Sequence, residues 1–206
     1  MLGLTGSGKS SLINYLLGAK DLIKVVKKGT DYHMFNEDQI HYPKIGNEQV
    51  SCTDIPSRYA GKSGIQYIDP AGFMDTKGDI QEIVNAYANA KMFQKGIKTK
   101  IILTIDINTL RSGRGGNLPA IARRLLDLFP KDFKVLMNSI MIVVTKVNPE
   151  DDSIEDLVER IDEINKSNAN IPAECSILLN TIVEKKNVRI FPFPRFIDNQ
   201  AIDELK

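Results

Sequence analysis

Near the start of the chain, Gly3-Leu4-Thr5-Gly6-Ser7-Gly8-Lys9-Ser10 sets glycines, a lysine and a hydroxyl at the spacing G-x-x-x-x-G-K-[ST]. That spacing suits the grip of a phosphate chain. Glycines let the backbone curl so that successive N–H groups point inward at phosphate oxygens. A helix beginning near Ser10 adds the positive end of its dipole. Lys9 is then expected to reach the β- and γ-phosphates, the Ser10 hydroxyl to take one position on Mg²⁺, and Ser11 to hydrogen-bond the α-phosphate. Gly3, Thr5, Gly6, Ser7, Gly8, Lys9, Ser10 and Ser11 make up this part of the candidate nucleotide site. The bland alternative is a glycine-rich turn with an incidental Lys-Ser. The helical pattern that follows and two segments further on argue against it.

The first of those segments is Asp69-Pro70-Ala71-Gly72, placed directly after the apolar run Ile65 to Ile68. A carboxylate at a strand end can hold Mg²⁺ through a water, and the Gly72 N–H can approach the γ-phosphate. Taken alone, Asp-Pro-x-Gly is a common turn. A threonine upstream should close over the metal, and Thr53 and Thr30 are the candidates. Thr53 is preferred, because Val50-Ser51-Cys52-Thr53-Asp54-Ile55-Pro56 leads towards the strand that ends at Asp69. The metal set is therefore Ser10, Thr53 and Asp69, with Lys9 and Thr53 as the catalytic pair. Phe73 stands where a water-orienting glutamine is often found, and its ring cannot do that work. Asp75, and Arg114 in the loop Ser112-Gly113-Arg114-Gly115-Gly116, are candidates to replace it. Ordinary loop charges and a flexible connector are the simpler readings of both.

The second segment is Thr145-Lys146-Val147-Asn148, after the apolar run Ile140 to Val144. A guanine site commonly reads [NT]-K-x-D, the aspartate accepting from N1–H and from the exocyclic amine. Thr145 and Lys146 fit that pattern, and the lysine stem can pack along a base. Asn148 offers one acceptor and one donor, which mismatches guanine. Three readings stay open: guanine with Asp151 or Asp152 substituting, another purine, or vestigial binding. Phe191-Pro192-Phe193-Pro194 carries no Ser-Ala-Lys signature for a last base-contacting loop. Phe191, Phe193 and Phe196 read as core or as a docking surface, and His33 and His41 as surface or strand-edge residues.

Together these segments resemble a known group. Tyr67-Ile68-Asp69-Pro70-Ala71-Gly72-Phe73-Met74-Asp75-Thr76 is similar to the D-T-P-G-F-x-D-T stretch of septin-like, immunity-associated and chloroplast-import-receptor GTPases, which are P-loop GTPases of the translation-factor-related class. Pro70-Ala71 departs from the Thr-Pro usual there. The resemblance implies a GTP- and GDP-binding, Mg²⁺-dependent, slowly hydrolysing domain. It also implies nucleotide-dependent homodimers, in the cytoplasm or at the periphery of a membrane reached through segments outside this chain. The rivals are a non-hydrolysing scaffold of the same fold and an ATP-binding relative.

The elements that must position these groups follow from periodicity. Helices are expected over Ser10 to Ala19, Asp79 to Lys95, Pro119 to Phe129, Ser153 to Lys166 and Pro172 to Lys186. The face of the second should carry Ile80, Ile83, Val84, Tyr87 and Ala88. Strands are expected near Tyr32 to Phe35, Gln39 to Ile45, Ile65 to Ile68, Lys100 to Ile107, Ser139 to Val147 and Val188 to Phe191, with Arg111 to Asn117 a loop. Alternation of strands and helices predicts an α/β, three-layer P-loop fold with a mostly parallel central sheet and helices on both faces. Ligands then bind at the carboxyl ends of strands, where each segment above falls. Residues 1–206 read as one such domain. Only Met1 and Leu2 precede Gly3, so an excerpt of a longer protein, with most of its first strand missing, is expected.

The formal net charge of +1 gives no field for nucleic acid or anionic lipid. Lys24, Lys27 and Lys28 form the densest basic cluster and read as a solvated helix end or loop. Cys52 and Cys175 match no metal spacing and read as free thiols. The sequence holds no signal peptide and no apolar run near the ~18 residues of a membrane span.

Overall fold

The computed structural model describes residues 1–19, 22–28, 31–46, 56–61, 64–72, 84–85, 87, 99–112, 117–129, 137–167 and 171–192. The chain divides into two compact units, one of residues 1–92 with 197–206 and one of residues 93–196.

In the first unit the order is β1 (Leu2–Gly3), α1 (Lys9–Leu16), β2 (Ile23–Lys28), β3 (Asp31–Asn36), β4 (Ser57–Ala60) and β5 (Gln66–Asp69). Helix α1 buries Leu12, Ile13 and Leu16, while Leu17, the fourth apolar residue recurring at helical spacing, is half-buried. It stops at Leu17, and the next residue, Gly18, takes a left-handed φ of 82°. Strands β2 and β3 pair as an antiparallel hairpin from Ile23↔Asn36 to Lys28↔Asp31. Strands β4 and β5 pair antiparallel from Ser57↔Asp69 to Ala60↔Gln66.

Two expectations are corrected here. Lys24, Lys27 and Lys28 lie on strand β2, not on a helix end or loop. Val25 and Val26 give that stretch β propensity, and the partner strand supplies its backbone hydrogen bonds. Gln39 to Ile45 is not a strand. The Asp38 carboxylate accepts from the Ile40 and His41 amides, both at 3.1 Å, and turns the chain there. A third departure concerns the expected helix over Asp79 to Lys95, of which only residues 84, 85 and 87 are described, all helical. Val84 is 50% exposed, Tyr87 65% and Asn85 2%. Spacing identifies residues that share a face, but not whether that face is covered.

In the second unit the order is β6 (Ile101–Asp106), α2 (Ile107–Arg111), α3 (Leu118–Leu128), β7 (Ile140–Val147), α4 (Ile154–Ser167), α5 (Ala173–Glu184) and β8 (Val188–Pro192). Its architecture is α/β. Strand β7 pairs parallel with β6, Ile101↔Ile140 to Asp106↔Thr145, and parallel with β8, Ile142↔Val188 to Val147↔Pro192. Ile142, Val143 and Val144 are wholly buried, as an unbroken β-branched run covered on both faces requires. Leu118, Ile121 and Leu125 of α3, Leu157, Ile161 and Ile164 of α4, and Leu178, Leu179 and Ile182 of α5 complete the core.

Parallel pairing thus characterises the second unit, whereas both pairs described for β2 to β5 are hairpins. Helix α4 starts on a reciprocal cap: the Asp156 amide donates to Ser153 Oγ at 3.1 Å, and the Ser153 amide donates to Asp156 Oδ2 at 3.0 Å. Arg111, expected in a loop, is the last residue of α2. Asp106 caps that helix by accepting from the Asn108 amide at 2.8 Å.

Candidate functional site

The glycine-rich loop joins β1 to α1. The Ser7 amide donates to the Leu4 carbonyl at 3.1 Å and closes a turn over Leu4 to Ser7. Gly6 and Gly8 have φ of 76° and 82°, a region where a side chain costs about 1–2 kcal/mol. Gly8 is also the N-cap of α1, and its carbonyl accepts from the Leu12 amide at 2.9 Å. Lys9 is only 7% exposed, and its ammonium donates to the Leu4 carbonyl at 2.8 Å and the Gly3 carbonyl at 3.3 Å. A positive charge therefore lies across the loop, beside the start of a helix.

Asp69 ends β5 and is 2% exposed. The Met1 nitrogen donates to the Ile68 carbonyl at 2.7 Å, which holds the end of β5 beside the approach to the loop. The Ser10 hydroxyl donates to Asp69 Oδ2 at 2.8 Å. These residues stand 59 apart in the chain, yet they bring an aliphatic hydroxyl and a carboxylate together at the foot of the loop. Burial, and after it the negative charge of Asp69, raise the pKa of Tyr59 on the paired strand β4. Hard oxygen donors of this kind suit Mg²⁺ when phosphate and water oxygens complete the shell. Among the described residues no three His, Cys, Asp or Glu side chains converge as a metal cage of their own.

Gly72 lies against the loop. A Cβ on it would fall 2.6 Å from Thr5 Oγ1 and 2.8 Å from the Thr5 amide nitrogen. Backbone atoms cannot swing aside as a side-chain tip can. Gly72→Ala is therefore expected to destabilise the first unit by about 1–3 kcal/mol and to weaken phosphate binding with it. A urea melt read beside a nucleotide titration checks this; native values for both would refute it.

Helix α1 holds a polar group that no sequence motif marks. Asn14 is wholly buried, and its amide donates to the Ser10 carbonyl at 2.7 Å and the Pro43 carbonyl at 2.8 Å. Its oxygen accepts from the buried amide of Asn36, whose own oxygen accepts from the Asp38 amide at 2.8 Å. One chain of hydrogen bonds thus runs from the start of α1 to the Asp38–His41 turn. The signal was present, since an asparagine interrupts the apolar stretch Leu12-Ile13-Asn14-Tyr15-Leu16.

In the second unit, Thr145 is buried, and its hydroxyl donates to the Ile105 carbonyl at 3.3 Å. Lys146 takes a left-handed φ of 61°, and its ammonium pairs with Asp106 at 2.5 Å. Asn148 follows the end of β7, and its amide donates to Asp151 Oδ2 at 2.7 Å while its oxygen accepts from the Glu150 amide at 3.3 Å. Asp152 is held by Arg111 Nη2 at 2.9 and 2.7 Å. Both carboxylates named as substitutes at Asn148 therefore already have partners within the unit. Asp106, the partner of Lys146, was missed from sequence because it lies on another strand.

The remaining candidates divide simply. Phe191 is buried core, while His41 is exposed and bonded to Asp38. That bond holds the Asp38 carboxyl below its ordinary pKa. Cys175 is a free, buried thiol whose pKa burial pushes up. Thr30, Thr53, Cys52, Phe73, Asp75, Arg114, Phe193 and Phe196 lie outside the described residues. Among those described, no helix is long and apolar enough to cross a membrane. No protein-family model matches the chain, and no curated protein does.

Proposed function

We propose that the chain binds a guanine nucleotide with Mg²⁺ and hydrolyses its terminal phosphate slowly, as a switch or nucleotide-dependent assembly module. The observation that carries this reading is the Ser10–Asp69 hydrogen bond at 2.8 Å beside a loop that buries Lys9. It joins two of the three residues that the sequence assigns to the metal. In this reading Lys9 neutralises charge on the transferring phosphoryl group, while the loop amides and the start of α1 orient the phosphate chain. Ser10 and Asp69, with Thr53, would hold Mg²⁺, which supplies Lewis-acid stabilisation of the phosphate oxygens. With Phe73 in the glutamine position, turnover of roughly 0.001 per second or below is expected. The base is assigned to Thr145, Lys146 and Asn148 on sequence pattern. A homodimer formed with nucleotide bound is proposed on the same family resemblance.

The test titrates GTP, GDP, ATP and XTP against the protein with Mg²⁺ and then follows phosphate release. Micromolar GTP binding with slow release supports the reading. Binding of none of the four would sink it. Preference for another base would move the assignment at Asn148. One observation favours a second reading, a scaffold that binds nucleotide loosely or not at all. Both ends of the Asn148 side chain are already engaged within its own turn. Binding without release, or no binding by a folded protein, would be its signature.

A further inference from the structure

We infer that the Thr5 hydroxyl recognises the terminal phosphoryl group of a nucleoside triphosphate and so sets preference for triphosphate over diphosphate. The inference rests on the nucleotide reading above and assigns a role within that site. Thr5 Oγ1 is buried and, among the described residues, has no hydrogen-bond partner. A buried hydroxyl left unpaired is costly, whereas an apolar side chain of the same shape would avoid the penalty. The turn over Leu4 to Ser7 does not need this hydroxyl, because the Ser7 amide and Leu4 carbonyl close it.

The hydroxyl is also aimed at a particular place. The Thr5 oxygen and the Thr5 amide nitrogen both face Gly72, at 2.6 and 2.8 Å from where its Cβ would stand. Gly72 closes the segment that begins at Asp69, and Asp69 is bonded to Ser10. A phosphate chain laid from the start of α1 along the loop meets Lys9 and Ser10 first. Its last group alone reaches the junction of Thr5 and Gly72. There a hydroxyl beside an amide offers two donors to a phosphoryl oxygen, which an alkyl side chain cannot do. A diphosphate ends short of the junction and leaves the hydroxyl unpaired.

The test compares the native protein with Thr5→Val, which keeps the shape, and Thr5→Ser, which keeps the hydroxyl. Each is titrated calorimetrically with GTPγS and with GDP in Mg²⁺. Thr5→Val should weaken GTPγS about tenfold and GDP less than about twofold, with Thr5→Ser within about twofold of native for both. Equal loss of both nucleotides in Thr5→Val, loss of neither, or failure of Thr5→Ser to restore the difference would overturn the inference. Native protein that binds neither nucleotide overturns the nucleotide reading itself. Native protein that binds both, with the ratio unchanged in Thr5→Val, overturns only the role of Thr5.

Discussion

Lys9→Ala should weaken nucleotide binding by about 100-fold or more, because a charged donor to phosphate is removed from a site largely shielded from water. The ammonium lies on the Leu4 and Gly3 carbonyls and is 7% exposed, so solvent screens it little. Alanine also removes the ammonium that donates to those two carbonyls, leaving Leu4 with the Ser7 amide, and the loop should loosen even without ligand. Calorimetric titration of GDP against native and variant protein reads the first effect. Amide exchange over the loop reads the second. Affinity within about threefold of native would mean that this lysine does not face the phosphates. Lys9→Arg is not a rescue, since the guanidinium is bulkier and its fork is fixed in geometry.

Asn14→Leu should lower the stability of the first unit by about 3 kcal/mol, a loss large against the 5–15 kcal/mol of a typical domain. The side chain serves the Ser10 carbonyl, the Pro43 carbonyl and the Asn36 amide from a fully buried position. Removing it takes the acceptor from the buried Asn36 amide and a donor from the Pro43 carbonyl. His41→Ala, at the exposed end of the same hydrogen-bonded chain, should change stability by less than about 0.5 kcal/mol. Urea unfolding of both variants reads the contrast, and losses of similar size in the two would disprove the burial argument. Because Asn14 holds the carbonyl of Ser10, the leucine variant should also lose part of its Mg²⁺-dependent nucleotide affinity.

The sequence was legible where chemistry and periodicity coincide. Gly6, Gly8, Lys9 and Ser10 announce their geometry, because glycines at this spacing take left-handed φ of 76° and 82° just before a helix. Ile140 to Val147 and Ile154 to Ser167 announce theirs through β-branched and helical periodicity. Strand β2 was hidden because its three lysines equal its three apolar residues in number and interrupt the alternation that would mark a strand. The turn at Asp38 was read as strand because its determinant is a side chain that captures neighbouring amides, which periodicity does not record. The Asn14–Asn36 pair and the Lys146–Asp106 pair were illegible for a different reason. Each joins residues distant in sequence, and only the fold brings them together. At Asn148 the sequence departs from the [NT]-K-x-D pattern. The structure adds that its amide is committed to Asp151.

The parallel pairing of β7 with both β6 and β8 also bears on how the chain comes together in time. Ile101 meets Ile140, and Ile142 meets Val188, so every rung joins residues about forty or more apart. Such contacts form late, since a long loop must close before the first pair rewards it. During synthesis, β7 therefore leaves the ribosome as an apolar ribbon with one edge still awaiting Val188 to Pro192. Until then Ile142 to Val144 lack their partners on β8, and this interval is when the second unit is most exposed to sticking to other chains.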